Sequence, residues 1–244
     1  MAVNYRHGLS ILELIFYFPV IFVSLWMAFR HGFTRSAGWI FFTVFALLKV
    51  IGACCYLDTI QKPDSKNLYT TWAVCTSIGL GPLIQACISL LSRANNSIGR
   101  VKGQGITPFF FRIPGAATIV GIIFSIIGAT KAKNLIANMA TSDTKIGLIL
   151  FLAAWGGLGL LQLLLMSKIG SMEMGERRLL VAVGLSLPLI LVRLVYSFVW
   201  IFGQNSDFSM FTGNVTIYLV MVVLEQIAVV AICLGVGVTL KQRN

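Results

Sequence analysis

The chain has 244 residues, of which 57% are hydrophobic and only 11% are charged. This balance leaves too little polar surface to cover a water-soluble core of this size, so it excludes a soluble domain and predicts an integral membrane protein. The formal net charge of +11 lies in short connectors between apolar stretches. That distribution is typical of contact with anionic lipid headgroups, so we expect the lipid bilayer as a partner and no nucleic acid.

Apolar windows long enough to cross the hydrocarbon core occur seven times along the chain. One crossing by an α-helix needs about 20 residues. Continuous apolar runs, unlike the alternating pattern of barrel strands, select helices. We therefore predict a single transmembrane domain, a bundle of seven α-helices, with spans at approximately residues 8–29, 38–57, 68–91, 113–130, 146–166, 179–202 and 214–240.

The distribution of lysine and arginine among the connectors predicts the orientation of this bundle. Eleven of these residues fall on one side: Arg30, Arg35, Arg93, Arg100, Lys102, Arg112, Lys168, Arg177, Arg178, Lys241 and Arg243. Six fall on the other: Arg6, Lys62, Lys66, Lys131, Lys133 and Lys145. The N-terminus is therefore predicted to be lumenal or extracellular and the C-terminus cytoplasmic. The pattern does not distinguish the endoplasmic reticulum from the plasma membrane, and it leaves the oligomeric state open.

The connectors contain few other signals. The longest runs from Ser92 to Phe111, and its cations and aromatic end favour a surface loop at the lipid interface. Pro82 and Pro188 lie within the third and sixth spans and are expected to kink them. Asn214 begins an Asn-Val-Thr pattern for N-glycosylation that abuts the last span, so we expect it to be unused.

Four ionisable residues lie well inside predicted spans: Glu13, Lys49, Arg193 and Glu225. A centrally placed charge costs at least ~2.5 kcal/mol, so each needs compensation. At a rise of about 1.5 Å per residue, Glu13 lies roughly 8 Å from the midpoint of its span toward the outer side. The other three lie within about 5 Å of theirs, also on the outer side. These depths predict one charged layer, with Glu13 near Lys49 and Arg193 near Glu225 across two helical hairpins.

A tyrosine follows or precedes each charge at helical spacing. Tyr56 and Tyr218 lie near the outer boundary, where tyrosine is enriched anyway, so Tyr17 and Tyr196 are the more informative pair. Two interpretations stay open: ion pairs that only fix the register of the helices, or a functional pocket open toward the lumenal side. Weaker candidates for the lining of such a pocket are Asp58, Gln85 and Gln162.

Several chemistries found in membrane bundles lack their residues in this chain. The last span holds no lysine before Lys241, which excludes a retinal Schiff base, and the inner end of the third span has no acidic-arginine pair of the large receptor family. The two histidines, His7 and His31, are too few and too far apart for a di-metal or haem site. No Gly-rich phosphate loop is present. We therefore predict no metal or other cofactor.

Five short strings together carry a resemblance to a known family. They read FRHGFTRSAGW at residues 29–39, LLSRAN at 90–95, ERRLL at 176–180, LVRLVY at 191–196 and GNVT at 213–216. The chain resembles, over nearly its whole length, a family of filamentous-fungal integral membrane proteins classed only as a domain of unknown function. The resemblance implies a fungal origin and seven helices. It brings no catalytic residues, although some fungal membrane proteins of this size act as cyclases or tailoring factors beside secondary-metabolite enzymes.

The leading functional hypothesis is an intramembrane cyclase or tailoring factor that acts on an apolar secondary-metabolite intermediate. Glu13 and Glu225 are its catalytic candidates. Burial favours the neutral acid whereas an adjacent cation opposes it, so Glu13 is the better proton donor if Lys49 is out of reach. Glu225 beside Arg193 is then an anchoring carboxylate. The substrate-binding candidates are Lys49, Arg193, Tyr17 and Tyr196.

Two alternatives use the same charged layer. A transporter or lipid-translocating protein would bind a solute there and switch ion-pair partners, although the chain shows only a weak internal echo between Leu12–Ile15 and Leu224–Ile227. A seven-helix receptor or sensor would bind a ligand in the outer pocket and an effector at the basic inner loops. The sequence does not choose among enzyme, transporter and sensor.

Overall fold

The computed structural model of the protein describes residues 5–31, 37–102, 105–131, 141–172 and 174–240. Within these ranges the regular structure is entirely helical, and seven helices are long and apolar enough to cross a membrane. The predicted all-α bundle of seven transmembrane helices is thereby confirmed. Four cations in the orientation count, Arg35, Lys133, Lys241 and Arg243, lie outside the described ranges.

The helices follow one another in the predicted order. They are α1 (Tyr5–His31), α2 (Ala37–Asp58), α3 (Lys66–Ile78), α4 (Leu80–Lys102), α5 (Phe109–Lys131), α6 (Ser142–Met166), α7 (Met174–Ile201), α8 (Val215–Tyr218) and α9 (Glu225–Thr239). A π-helical segment, Leu219–Leu224, joins α8 to α9. Because successive spans alternate in direction, α1, α3, α6 and α8 begin on one side of the bundle, here called the N-terminal face.

The third span is longer than the sequence predicts. The helix α4 continues to Lys102, so the predicted connector from Ser92 to Phe111 is wrong over its first half. Asn95 on this extension exchanges two hydrogen bonds of 2.7 Å with the backbone of Ile106, one through its amide nitrogen and one through its amide oxygen. These bonds hold Ile106 against α4.

The third span also forms the centre of the bundle. Its most apolar window is 78% buried, against 33% to 50% for the windows of the other six spans. The span is interrupted at Gly79, where α3 ends and α4 begins, and Pro82 occupies the first turn of α4. A proline at this point needs no backbone N–H but clashes with the carbonyl four residues earlier, which accounts for the break. Pro188, in contrast, lies inside the continuous helix α7.

Candidate functional site

The four intramembrane charges are all buried. The exposed fraction of the residue is 3% for Glu13 and Lys49, 2% for Arg193 and 8% for Glu225. They come from α1, α2, α7 and α9, in the half of the bundle toward the N-terminal face, and we refer to these four residues as the charge cluster. Such burial demands partners, because an isolated ion in an apolar interior is very costly.

The first pair of the charge cluster is a closed ion pair. Lys49 Nζ donates a hydrogen bond of 2.9 Å to Glu13 Oε1, which confirms the predicted proximity of these two residues. The ammonium also lies 5.9 Å from the ring centre of Tyr17 and 6.0 Å from that of Phe45. Tyr17 therefore packs on the cation of this pair, and the aromatic faces add favourable electrostatic contact.

The second pair is not in contact. Arg193 and Glu225 are close enough to interact electrostatically, but no ion pair within 4.0 Å joins them. Arg193 instead donates to Ser197 Oγ at 2.6 Å and, at the long distance of 3.5 Å, to the backbone oxygen of Thr76. Its guanidinium carbon lies 5.4 Å from the ring centre of Tyr196, as the helical spacing predicts.

Within the described part of the chain, several polar atoms of this second pair and of the next residue, Gln226, have no hydrogen-bond partner. They are Nε of Arg193, Oε2 of Glu225 and both side-chain amide atoms of Gln226. Glu225 and Gln226 immediately follow the π-helical segment Leu219–Leu224. Short π-helical insertions are frequent at functional sites because the wider turn re-aims the side chains that follow it. The sequence offers no signal for this insertion.

Aromatic rings fill the space between the charge cluster and the N-terminal face. They form one chain of ring contacts with centre-to-centre distances of 4.6 Å to 6.3 Å. We refer to it as the aromatic cluster: Tyr56, Tyr69, Trp72, Tyr196, Phe208, Phe211 and Tyr218. Tyr196 contacts both the Arg193 guanidinium and the ring of Tyr218, and thereby connects the aromatic cluster to the charge cluster.

The weaker candidates lie apart from this site. Asp58 is half-buried and pairs with Lys62 at 3.6 Å, while Gln162 donates to the backbone oxygen of Leu180 at 2.8 Å. Gln85 packs against the backbone of Gly115 in α5. These contacts fit the interpretation of the three residues as helix contacts or boundary residues, although the side-chain oxygens of Gln85 and Gln162 have no hydrogen-bond partner among the described residues. Asn214, the first residue of the glycosylation pattern, accepts a hydrogen bond from Thr216 N at 2.9 Å and so caps α8.

One buried ion pair escaped the sequence reasoning. Arg93 of α4 donates to Glu176 of α7 at 3.2 Å, and both side chains are at most 6% exposed. Hydropathy predicts that Arg93 lies in a loop, because the residues that follow it are polar. The spacing of Arg93, Ser97 and neighbouring buried positions along the helix was the available signal.

A second feature is an apolar groove of about 830 Å³ between α1 and α9. It is open toward the lipid-facing surface and is lined only by apolar residues and glycines, among them Phe16, Pro19, Ile227 and Leu234. Its volume falls in the range of small-molecule sites. None of the residues of the charge cluster lines it, so the groove and the charge cluster are separate features.

The comparison with known families agrees with this architecture. The family described as a domain of unknown function, DUF7702, matches residues 3–243. The chain belongs to this family. Searches of curated proteins and of solved structures find no match. The family description carries no function, and the seven apolar helices of this chain are those of an integral membrane protein.

Proposed function

We propose that the protein is an intramembrane acid catalyst for an apolar substrate, and that Glu225 is its proton donor. One observation carries this proposal: among the residues that the structure describes, the buried carboxyl group of Glu225 has no ion pair within 4.0 Å and has one oxygen without a hydrogen-bond partner. A carboxyl group in such surroundings favours its neutral form and is available to react.

Glu13 is not the proton donor in this proposal, because it is already paired. The sequence favours Glu13 as donor only if Lys49 is out of reach, and Lys49 is bonded to it at 2.9 Å. The Glu13 carboxyl group is therefore already engaged by a partner of opposite charge. In this proposal Glu13 and Lys49 therefore position the helices, and Glu225 carries the chemistry.

The aromatic cluster supports a reaction through a cationic intermediate. Proton transfer from Glu225 to an alkene or epoxide of the substrate would generate a carbocation, which attack by a second alkene of the same molecule converts to a ring. Loss of a proton back to the Glu225 carboxylate ends an isomerisation without any redox change. The faces of Tyr196 and Tyr218 are suited to stabilise the cation, since aromatic rings attract positive charge.

The other residues near Glu225 and Glu13 have supporting roles in this proposal. Arg193 and Tyr196 are its substrate-positioning residues, and Tyr17 acts through its contact with Lys49. The reaction needs no metal or nucleotide cofactor. A fungal origin, a role in secondary metabolism and a location in the endoplasmic reticulum or the plasma membrane remain predictions from the resemblance and the composition.

Metabolite profiling of the source organism tests the proposal. A strain lacking the gene is complemented with wild-type protein or with Glu225→Gln at matched protein level. We expect the deletion and Glu225→Gln to accumulate the same uncyclised or under-modified intermediate, because the amide keeps the shape of the side chain but cannot donate a carboxylic proton. Wild-type metabolite levels with Glu225→Gln would contradict the proposal.

The apolar groove favours a second candidate function, that of a lipid-translocating protein. A groove open to the bilayer and without polar lining suits an acyl chain. Purified protein in phosphatidylcholine vesicles that contain a fluorescent lipid would show accelerated flipping, and Gly235→Leu would slow it because the added side chain extends into the groove. A Cβ atom added at Gly235 meets no atom within 4 Å and the position borders the open groove, so the variant should fold.

A matched control exists on α6. Gly159 likewise has open space around it, but it lies outside the groove, so Gly159→Leu should leave the flipping rate unchanged. Equal rates in empty vesicles and in vesicles with wild-type protein would exclude translocation of that lipid.

A further inference from the structure

A small polar cavity of about 30 Å³ lies beside Arg193, in the half of the bundle toward the N-terminal face. The described residues give it a polar lining of one guanidinium and four hydroxyl-bearing side chains, with no carboxylate among them. The polar lining residues are Ser77, Ser125, Thr144, Arg193 and Ser197. The remaining walls are apolar and include Trp200. Every polar side chain in this cavity is thus able to donate a hydrogen bond.

Arg193 has unused donors at this cavity. A guanidinium offers five N–H groups. The described contacts of Arg193 use two of its nitrogens, toward the neutral acceptors Ser197 Oγ and Thr76 O, and Nε has no partner. The residue is only 2% exposed, so water outside the bundle cannot solvate it. A buried cation that has only neutral acceptors in contact is incompletely compensated.

The start of α6 adds positive potential to the same space. Thr144, which lines the cavity, lies in the first turn of α6, a helix of 25 residues. The N-terminal end of a helix carries partial positive charge and attracts anions. Asp143 in the same turn opposes this effect, but its carboxylate bonds Lys131 Nζ at 2.9 Å and does not line the cavity.

We propose that this cavity binds a single monovalent anion of the size of chloride. Its volume holds only about two water molecules, at roughly 10–15 Å³ each, which excludes phosphate esters and larger carboxylates. Hydroxyl groups and a guanidinium together form a donor set for a spherical anion, and the start of α6, whose Thr144 N–H is capped by Thr141 Oγ1, contributes potential and no backbone donor from Thr144. Water would leave the charge of Arg193 without a counter-ion in contact. The site depends on Arg193 and the hydroxyl groups, whether or not Glu225 is catalytic.

Bromide and the fluorescence of Trp200 provide a direct test. Bromide has a size close to that of chloride and quenches tryptophan on contact, and Trp200 lines the cavity. The full chain in lipid nanodiscs is transferred to gluconate buffer, since gluconate is too large for the site, and bromide is titrated at constant ionic strength. We expect a saturable quenching component that chloride competes away and that Trp200→Phe removes.

Variants identify the site. Arg193→Gln should weaken bromide binding roughly tenfold or more, because a charge-assisted hydrogen bond is lost. Since this variant removes a buried charge and its folding is at risk, Ser125→Ala and Ser197→Ala provide a milder test, each with an expected weakening of several-fold. Ser186→Ala is the matched control: Ser186 is a buried hydroxyl on the same helix as Ser197, bonded to the Ala182 backbone oxygen and outside the cavity.

Two results would overturn the proposal. Quenching that rises linearly with bromide in the wild-type protein, without saturation, would show that the cavity holds only water. Saturable quenching with the same affinity in the wild type, Ser125→Ala and Ser197→Ala would place the anion elsewhere. The readout is binding alone, so its failure is distinct from a failure of the catalytic proposal, which is read from metabolites.

Discussion

The two pairs of the charge cluster differ in whether their opposite charges are in direct contact. At the first hairpin, Glu13 and Lys49 form a direct ion pair of 2.9 Å, both side chains at most 4% exposed. At the last two spans, Arg193 and Glu225 have the same opposite charges and similar burial, yet they are not in contact. The first pair is joined by its own hydrogen bond, whereas in the second pair each residue has a polar atom without a hydrogen-bond partner among the described residues.

The role of a buried charged residue therefore depends on which groups contact it. Glu13 and Lys49 hold α1 against α2, and nothing in their geometry calls for a ligand. Among the described residues, Arg193 and Glu225 each keep a buried polar atom without a hydrogen-bond partner, and Arg193 also lines a cavity and contacts the ring of Tyr196. Incomplete satisfaction of buried polar groups is costly, so its persistence points to a use.

The largest expected effect comes from breaking the closed pair. Lys49→Met leaves the Glu13 carboxylate buried without a counter-ion, and we expect the free energy of unfolding to fall by about 3–5 kcal/mol. Unfolding in mixed detergent micelles, followed by circular dichroism, measures this loss. Lys62→Met is the control, because Lys62 pairs with Asp58 at the exposed surface and its loss should cost under about 1 kcal/mol.

The double variant Glu13→Gln with Lys49→Met sharpens the test. Replacing both members of a buried ion pair by neutral groups is often nearly neutral, so most of the lost stability should return. A double variant as unstable as Lys49→Met alone would mean that the two side chains act through other contacts than each other.

The next effect in size concerns Arg193. Because no carboxylate in contact loses its partner, we expect Arg193→Met to cost about 1–3 kcal/mol, mainly from the hydrogen bond to Ser197. Arg93 is the matched comparison: it is equally buried but bonds Glu176 at 3.2 Å, so Arg93→Met should cost about 3–5 kcal/mol. Equal losses for the two variants would contradict the distinction between compensated and uncompensated arginines.

The sequence predicts the first half of the charge cluster better than the second for a physical reason. Glu13 and Lys49 lie on continuous α-helices joined by a short connector, so depth along the helix axis suffices to place them together. Glu225 follows a π-helical segment, which rotates the residues after it relative to an α-helical count. Hydropathy contains no information on that insertion. Spacing along the helices therefore predicts that Arg193 and Glu225 are near each other, but not whether their side chains are in contact.

The extension of α4 escaped prediction for a different reason. A hydropathy window measures apolarity, and Ser92–Lys102 is polar because that helix end packs through Arg93, Asn95 and Ser97. The partner of Arg93 lies far along the chain, since Glu176 is 83 residues away. The partner of Asn95, the backbone of Ile106, lies 11 residues further on. Apolar composition therefore predicts which segments cross the membrane, but it does not show how far a helix continues once buried polar contacts replace lipid.

The smallest expected effect on stability belongs to Glu225. Glu225→Gln removes no ion pair in contact and keeps the side-chain volume, so we expect the free energy of unfolding to change by less than about 1 kcal/mol. Glu13→Gln is the informative contrast, since it leaves the Lys49 ammonium buried against a neutral amide and should be clearly destabilising. The same micelle unfolding assay compares them.

If Glu225→Gln proved as destabilising as Glu13→Gln, then the attraction between Glu225 and Arg193 would stabilise the fold, and the carboxyl group would not be free to act as an acid. A stable Glu225→Gln variant that also fails to restore the metabolite profile would instead place the function of this carboxyl group in chemistry rather than in folding.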